Sequence, residues 1–593
     1  MRPNAYVISE IPKSIHDLLE TQQKPRLYDI LDRYFMEKRF VRRVGSKRSF
    51  YYPADSDHLF NPKRMDDVFI NDGFNYKIET LNEQLYVVIS PRPIFTSDGI
   101  NYDPDFAKSV HTRFLGNPAI HKYKLHCEAF EKIVSYFGAK ITIGLPHGES
   151  LLLETTISIS VDMIKNVVEP QIDFGGGKTH SYPAAGIKNY HPLDYNLSML
   201  SHPSEIKVAF IGTGFTKDLL NQMCRGSIKF RGFTSVYKTK IAVGDRKVIL
   251  SDEDIAACKS VEDVTALLLK NAVIVRDSLG LDVCVVELVP QWEQFFIGQD
   301  LDLRDYIKVR FWKERISTQV ITRKAVEASA GLVLDNIALG IYVAAGGRPW
   351  RLEDRIVNTA FIGIAFGDVV DNKSRLIGIA EIFDEYGQSI AMTTLAVREE
   401  DRDVRFFDKD YHLSQEQFSK VMITLLEDYK IKMGGNYPEH IIIHKTSAFD
   451  DAEKAAVDKF ADHPIEFTLV HICSGFANLW SLITDDKKEP RRGCYWRMSE
   501  DKSLIYTSGI LQNLPSYAFP GIPIPMVLIK QDNSPISIDE ICKQVILLTK
   551  LNWNSTNSYE REPVTISHAR KIVDLLRAGL DPFDIPNDIR FFI

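Results

Sequence analysis

The sequence predicts a multidomain α/β protein, from its length, its composition and its alternation of strand-like and helix-like segments. With 593 residues, the chain is too long for one hydrophobic core and suggests three or four domains. Hydrophobic residues make up 45% and charged residues 25%, which is typical of globular proteins. No apolar run approaches the roughly 20 residues that cross a bilayer, so we expect no membrane span.

Charge and cysteine content limit the class of protein further. The formal net charge is −7, so any nucleic-acid site must be a local basic groove on an acidic body. The 7 cysteines are scattered and include no CxxC pair, which argues against a disulfide framework or a zinc site. This pattern, and an N-terminus without the apolar stretch of a secretory signal, predict a cytoplasmic protein.

The first 203 residues predict a mixed α+β module followed by a linker. Residues 1–168 mix both kinds of element and include two strands over Tyr76–Thr96. Residues 169–203 are rich in Gly, Pro, His and Tyr, which favours a linker. The GGGKT run within it is not a phosphate-binding loop, because Ile172 stands where that motif requires a glycine.

Strand–helix alternation from residue 205 to 350 predicts a parallel sheet covered by helices. The runs IKVAFIG (206–212) and VCVVELV (283–289) have the composition of buried strands. Helical patterns occupy Lys217–Cys224 and Ile255–Leu279. Such alternation is characteristic of parallel sheets with helices on their faces.

The last part of the chain predicts a second sheet of different construction. Three strands come first and a helix over Gln415–Tyr429 follows, which is how an RNase H-like sheet begins. The predicted strands are 359–366, 375–384, 389–397, 440–445 and 465–473.

Several segments, in order, resemble the MID and PIWI domains of prokaryotic Argonautes over roughly residues 169–593. They are EPQIDFGG, FRGF, ISTQVIT, AGGRPWRL, FIGIAFG, PEHIIIHK and LLTKLNWNST with PVTISHAR. The first segment is most similar to the short, PAZ-lacking branch. The resemblance implies a Rossmann-like MID domain at 204–350 and an RNase H-like PIWI domain at 351–593. It also implies an N/linker-like or APAZ-like module at 1–168, joined by the linker 169–203.

The resemblance implies that the MID domain holds the 5′ end of a guide strand, with Arg304, Lys308 and Gln319 at the binding positions. Phosphate groups require cations and hydrogen-bond donors that converge on one point. Arg304 and Lys308 are four residues apart, so both share one face if LRDYIKVRFWK is a helix.

One position departs from the family pattern, because Ala344 stands where a lysine usually precedes the two glycines. Either Arg348, Lys324 or Arg323 compensates, or the guide begins with a 5′-hydroxyl. Relatives also use the C-terminal carboxylate with Mg²⁺ at the guide end. The resemblance therefore implies a structural Mg²⁺ bound by the carboxylate of Ile593.

The family's cleavage chemistry requires clustered carboxylates that hold two metal ions. The matching positions here are Ala365, Thr446 and Arg570, so we predict a catalytically inactive domain and not an enzyme. Asp368 lies three residues along the strand and should face elsewhere. Asp450 and Asp451 are the alternative ligands at the second position.

The sequence thus predicts a protein that binds a guide RNA or DNA and surveys complementary nucleic acid, with DNA the favoured target. An inactive member needs a partner effector, which could be a nuclease, a helicase–nuclease, an NAD-degrading enzyme or a membrane protein. The expected role is defence against plasmids or phages. Two alternatives stay open: a guide-directed endonuclease with relocated metal ligands, and a scaffold subunit without a guide.

Overall fold

The computed structural model describes most of the chain. The described residues are 1–10, 24–44, 49–54, 63–65, 68–82, 84–97, 122–145, 148–155, 159–196, 202–226, 230–296, 302–323, 330–367, 376–397, 404–407, 410–460, 464–474, 480–512, 522–558 and 560–581.

The strands are β1 (Arg2–Pro3), β2 (Ala5–Glu10), β3 (Phe40–Val44), β4 (Ser49–Pro53), β5 (Lys63–Met65), β6 (Val68–Leu81), β7 (Gln84–Ser97), β8 (Lys140–Gly144), β9 (Ser150–Thr155), β10 (Ile164–Asn166), β11 (Ile172–Phe174), β12 (Lys178–His180), β13 (Glu205–Gly212), β14 (Lys240–Ala242), β15 (Lys247–Ile249), β16 (Val283–Leu288), β17 (Ser317–Thr322), β18 (Arg351–Leu352), β19 (Thr359–Gly367), β20 (Leu376–Phe383), β21 (Ser389–Val397), β22 (Val404–Phe407), β23 (Asp410–Leu413), β24 (His440–Lys445), β25 (Glu466–Cys473), β26 (Leu482–Ile483), β27 (Cys494–Arg497), β28 (Lys502–Ile505) and β29 (Met526–Lys530).

The α-helices are α1 (Lys24–Glu37), α2 (Lys122–Phe137), α3 (Pro183–Tyr190), α4 (Gly214–Arg225), α5 (Phe233–Tyr237), α6 (Asp252–Ala257), α7 (Val261–Leu279), α8 (Pro290–Glu293), α9 (Leu303–Lys313), α10 (Ala330–Ala344), α11 (Gln415–Lys432), α12 (Asp451–Asp458), α13 (Ile538–Leu548) and α14 (Val564–Arg577).

The described residues form two compact units. The first contains residues of Met1–Glu169, Cys473–Ile529 and Ser537–Cys542. The second contains residues of Pro170–Ile472 and Lys530–Ile536 and the described residues from Lys543 onward.

The first unit is built around an antiparallel sheet with the strand order β3-β4-β6-β7-β2-β9-β8. Strands β6 and β7 are the long pair expected over Tyr76–Thr96. Aromatic side chains of α1, α2 and the sheet form its core, including Phe35, Phe74 and Phe130. The buried carboxylate of Asp32 accepts hydrogen bonds from two core tyrosine hydroxyls, which satisfies these three polar groups inside an aromatic core. A second set of four antiparallel strands has the order β10-β27-β28-β29.

The second unit contains the predicted parallel sheet. Its order is β14-β13-β16-β17, with β15 also beside β13, and every pair is parallel. Strand β16 is buried at all six positions, as its apolar, β-branched sequence predicts. The single helix expected over Ile255–Leu279 is two helices, α6 and α7. The side chain of Ser260 accepts a hydrogen bond from the backbone of Asp263 and so begins α7.

The other large sheet of the second unit is mixed. Strands β21, β20 and β19 are antiparallel, then β24 is parallel to β19 and β25 is parallel to β24. Helices α11 and α12 cover one face through a core that includes Ile362, Leu425 and Ile443. Helix α14 packs on the opposite face, where Ala365 and Ala569 belong to one apolar cluster. The predicted order of three strands and a helix is confirmed.

Residues 169–203, expected to link two domains, contain α3 and two strands of a small sheet with the order β12-β11-β18. The lysine and threonine of the GGGKT run lie in β12. A phosphate-binding loop would require a helix at that point, so the exclusion of that motif is supported.

Candidate functional site

The segment LRDYIKVRFWK forms helix α9, which is the condition for Arg304 and Lys308 to share one face. The side chain of Asp302 caps it by accepting a hydrogen bond from the backbone N–H of Arg304 at 2.8 Å. Arg304 and Lys308 therefore lie one turn apart on the same face. The guanidinium of Arg304 is 3.0 Å from the Asp302 carboxylate and remains well exposed. Because much of the guanidinium is exposed, an incoming anion can reach it from solvent.

Lys308 is less exposed, and its charge is sensitive to its surroundings. Burial, followed by the nearby ammonium of Lys571, lowers the pKa of Lys308 to about 7. Lys571 belongs to α14, where its ammonium pairs with the buried carboxylate of Asp305. An anion bound beside Lys308 would favour its charged form. The sequence alone did not indicate the Lys571–Asp305 pair, since the two residues are 266 positions apart.

Gln319 lies on β17, which packs against α9. Its amide nitrogen donates to the carbonyl of Val320 at 3.2 Å. A side chain at Gly340 of α10 would place its Cβ 2.1 Å from the Gln319 oxygen. The missing side chain at Gly340 therefore provides the space that Gln319 occupies.

The glycine segment after α10 is held by a carboxylate that sequence reasoning missed. Asp194 accepts a hydrogen bond from the backbone N–H of Arg348 at 2.9 Å, and another from the hydroxyl of Tyr342. Ala344, where a lysine was expected, is buried and supplies no charge. Arg348 is thus positioned through its backbone beyond the end of α10.

Arg323 and Lys324 were the other candidates to replace the positive charge missing at Ala344. Arg323 donates to Glu287 at 3.1 Å and to Thr213 at 3.2 Å, and Glu287 is fully buried. Because this carboxylate already offsets its charge, Arg323 is a poor substitute for the missing lysine. Lys324 and Ile593 lie outside the described residues, so the Mg²⁺ site assigned to the Ile593 carboxylate stays a prediction.

Two of the three predicted cleavage positions, Ala365 and Thr446, lie together at one end of the mixed sheet. Ile364 of β19 pairs in register with Lys445, the last residue of β24, so Ala365 of β19 and Thr446, just after β24, are the next residues along the two chains. The backbone N–H of Thr446 donates to the Ile364 carbonyl. Ala365 is buried among apolar side chains of α14. An alanine in such surroundings cannot ligate a metal ion, so this position does not fit the two-metal chemistry.

The third cleavage position carries a cation. Arg570 lies on α14, and its guanidinium is 2.8 Å from the Glu562 carboxylate. A positive charge here would repel a divalent cation. Of the alternative ligands, Asp368 lies outside the described residues. Asp450 caps α12 through a reciprocal bond with Glu453, and Asp451 begins that helix.

Helix α14 comes close to β19 because Gly363 has no side chain. A Cβ at this position would lie 2.0 Å from the Thr565 carbonyl oxygen. The neighbouring strand places His444 beside Gly363, and its imidazole is hydrogen-bonded to the Thr565 hydroxyl at 2.9 Å. Burial lowers the pKa of His444 to about 3, so the ring is neutral. This contact fixes the start of α14 against the sheet.

One group resembles a metal site on the other face of the sheet. His412, Asp450 and Glu453 offer ligand atoms that lie within 4.8 Å of one another. Lys445, however, donates to both Glu453 oxygens at 2.6 and 2.5 Å, and both side chains are fully buried. The ammonium supplies the positive charge that a metal ion would supply. Glu453 therefore serves a buried ion pair with Lys445 and, together with Asp450, the cap of α12.

Among the described residues, no helix combines the length and apolar character that a membrane span requires. No known family profile and no curated protein sequence matches the chain. Solved structures do match over nearly its whole length. Marinitoga piezophila Argonaute, in complex with a 5′ OH guide RNA and target DNA, has a TM-score of 0.64 at 13% identity, covering 92% of this chain and 84% of that one.

Clostridium butyricum Argonaute, bound to a guide DNA and a 19-mer target DNA, has a TM-score of 0.59 at 14% identity. That match covers 94% of this chain and 84% of the other. The A. aeolicus Argonaute structure has a TM-score of 0.54 at 14% identity and covers 97% and 85%. This chain has the Argonaute fold. The Argonaute resemblance of the sequence is thereby confirmed at the level of the fold.

Proposed function

We propose that this protein binds a nucleic-acid guide and surveys complementary targets without cleaving them. In this proposal, the parallel-sheet region 204–350 is a MID domain, and the region 351–593 is a PIWI domain with an RNase H-like sheet. The observation that carries the proposal is the combination of a basic α9 face with cleavage positions that lack carboxylates. The Argonaute fold supports it, because the Marinitoga piezophila and Clostridium butyricum structures named above contain guide and target strands.

The chemistry of binding follows from α9. Arg304 and Lys308 supply cations to backbone phosphates near the guide end, and Gln319 supplies an amide donor from β17. Base pairing then selects the target, while the protein contacts the backbone of both strands. Because the protein contributes mostly phosphate contacts, its affinity should fall steeply with salt.

We further propose that the guide begins with a 5′-hydroxyl. Ala344 removes one cation from the pocket, and Arg323 is neutralised by Glu287. A terminal phosphate dianion would therefore meet fewer positive charges than the family pattern provides. The Marinitoga piezophila Argonaute complex contains a 5′ OH guide RNA, which supports this choice.

An inactive surveillance protein must pass its signal to another protein. We propose a partner effector, a short-type architecture and a role in defence against plasmids or phages, as the sequence resemblance implies. The effector's chemistry is one of the four classes given above. Co-purification from the host tests this part: an enzyme that binds only the guide- and target-loaded protein is the expected result.

The central test is a cleavage and binding assay with the full-length protein. Synthetic guide RNA or DNA, with a 5′-hydroxyl or a 5′-phosphate, is loaded before a labelled target is added in Mg²⁺ or Mn²⁺. We expect guide-dependent retention of intact complementary target. Cuts at a fixed distance from the guide end would instead identify a slicer with relocated ligands. Failure to bind any oligonucleotide would identify a scaffold subunit.

A further inference from the structure

A cavity of about 200 Å³ lies in the second unit between α4 and the strands β14 and β15. These strands lie on the side of β13 away from β16 and β17. Gln319 lies on β17, so two strands separate the cavity from the strand of the candidate guide-end site. The cavity is therefore a separate feature, and nothing above assigns it a role.

The walls of the cavity combine apolar and cationic groups. The half-buried side chains of Ile241 and Val243 supply apolar surface, with buried Phe210 and Leu220 behind them, and the ammonium groups of Lys217 and Lys247 supply two positive charges. Both lysines are exposed. Within the described part of the chain, neither ammonium group has a carboxylate partner. Their charges are thus available to an incoming anion.

Two further side chains complete the lining. The amide of Asn221, one turn beyond Lys217 on α4, can donate a hydrogen bond, and Cys224 presents a half-buried thiol. The backbone of Gly244 forms the turn between the edge strands and leaves one wall without a side chain.

The charge of the surrounding sequence favours an anionic ligand. Residues 214–249 contain eight lysines and arginines and two aspartates, although the whole chain has a net charge of −7. A local positive field on an acidic protein attracts polyanions and phosphorylated molecules. An apolar wall beside paired cations suits a ring system that carries a phosphate.

We propose that this cavity binds a single nucleotide, with its phosphate between Lys217 and Lys247 and its base against the apolar wall. The nucleotide is either a free mononucleotide or one unit of a bound strand. Binding of a free mononucleotide does not depend on the proposed function, since none of these residues belongs to the guide-end site, whereas binding of one unit of a strand rests on that function.

Cys224 provides a direct test in the full-length protein. Cys473 is the only other cysteine that is not buried, so a Cys473→Ser background directs maleimide to Cys224. Burial raises the pKa of Cys224, so labelling is followed at mildly alkaline pH. We expect 1 mM of a nucleoside 5′-monophosphate, or a bound oligonucleotide, to occupy the cavity to roughly 80% or more. At most about one fifth of the protein then has a free Cys224, so labelling should slow at least ~5-fold. The unphosphorylated nucleoside should not.

Charge removal separates a built site from general attraction. Lys217→Gln with Lys247→Gln should abolish the protection, whereas Lys270→Gln with Lys420→Gln removes two exposed charges outside residues 214–249 and should preserve it. The ratio of rates with and without ligand is compared within each variant, because Lys247 also affects the Cys224 pKa. Protection by the oligonucleotide alone identifies a strand as the source. Three results would overturn the proposal. They are protection of Cys224 by the unphosphorylated nucleoside, protection that persists in the Lys217/Lys247 variant, and no protection by either the nucleotide or the oligonucleotide.

Discussion

Helix α9 and strand β24 both place basic side chains in the second unit, but the surroundings of those side chains differ. On α9, four basic residues accompany one aspartate, and Arg304 stays exposed. On β24, Lys445 is fully buried and donates to both oxygens of Glu453. The first arrangement leaves positive charge for a polyanion, whereas the second uses its charge to stabilise the fold. The comparison teaches that basic residues are candidates for binding an anion only where no buried carboxylate neutralises them.

The largest effect should come from the buried pair. Replacing Lys445 with methionine leaves the Glu453 carboxylate buried without its cation, which should lower the free energy of unfolding by about 3–5 kcal/mol. Denaturant-induced unfolding measures this change. Lys459→Met, at an exposed position beside the same helix, should change it by less than about 0.5 kcal/mol. A loss below about 1 kcal/mol for Lys445→Met would contradict the contrast between the two regions.

Removing the α9 charges should weaken guide binding next most strongly. Each charge-assisted hydrogen bond contributes roughly 1.5–3 kcal/mol, so Arg304→Gln with Lys308→Gln should raise the guide Kd at least ~100-fold. Fluorescence anisotropy over several salt concentrations measures both the loss and a shallower salt dependence. The control, Lys270→Gln with Lys420→Gln, removes two charges at exposed positions on other helices and should leave Kd within about threefold of the unmodified protein. Equal losses in both variants would mean general attraction and no site.

The shifted pKa of Lys308 predicts a pH dependence. Below its pKa of about 7 the ammonium form predominates, and an anion binds that form better. Guide affinity should therefore rise about tenfold from pH 8 to pH 6. Lys308→Arg should remove this dependence, because a guanidinium stays charged throughout the range. An unchanged profile in that variant would show that another group titrates.

The smallest effect is expected at the third cleavage position. The Arg570–Glu562 pair is partly exposed, so Arg570→Gln should change stability by less than about 1 kcal/mol. It should also produce no cleavage in Mg²⁺ or Mn²⁺, because Ala365 and Thr446 still supply no carboxylate. Specific cutting by this variant in a gel assay would show that the remaining ligands lie elsewhere in the chain.

Local patterns in the sequence predicted many of the strands and helices of the fold. The predicted parallel strands, the three-strand start of the mixed sheet and the helix over Gln415–Tyr429 are all present, because buried strands and amphipathic helices follow short periods of hydrophobicity. The break between α6 and α7 was missed, although Ser260 is a typical N-terminal cap. The lack of carboxylates at Ala365, Thr446 and Arg570 could be read from the sequence, since no arrangement of these side chains supplies them.

The sequence by itself determined the order of elements, the basic character of α9 and the missing carboxylates. Only the tertiary structure decided how each charge is used. It paired Lys571 with Asp305, Arg323 with Glu287 and Lys445 with Glu453. The physical reason is distance: a pKa or an ion pair depends on groups within a few ångströms, and folding brings those groups together from positions as many as 266 residues apart.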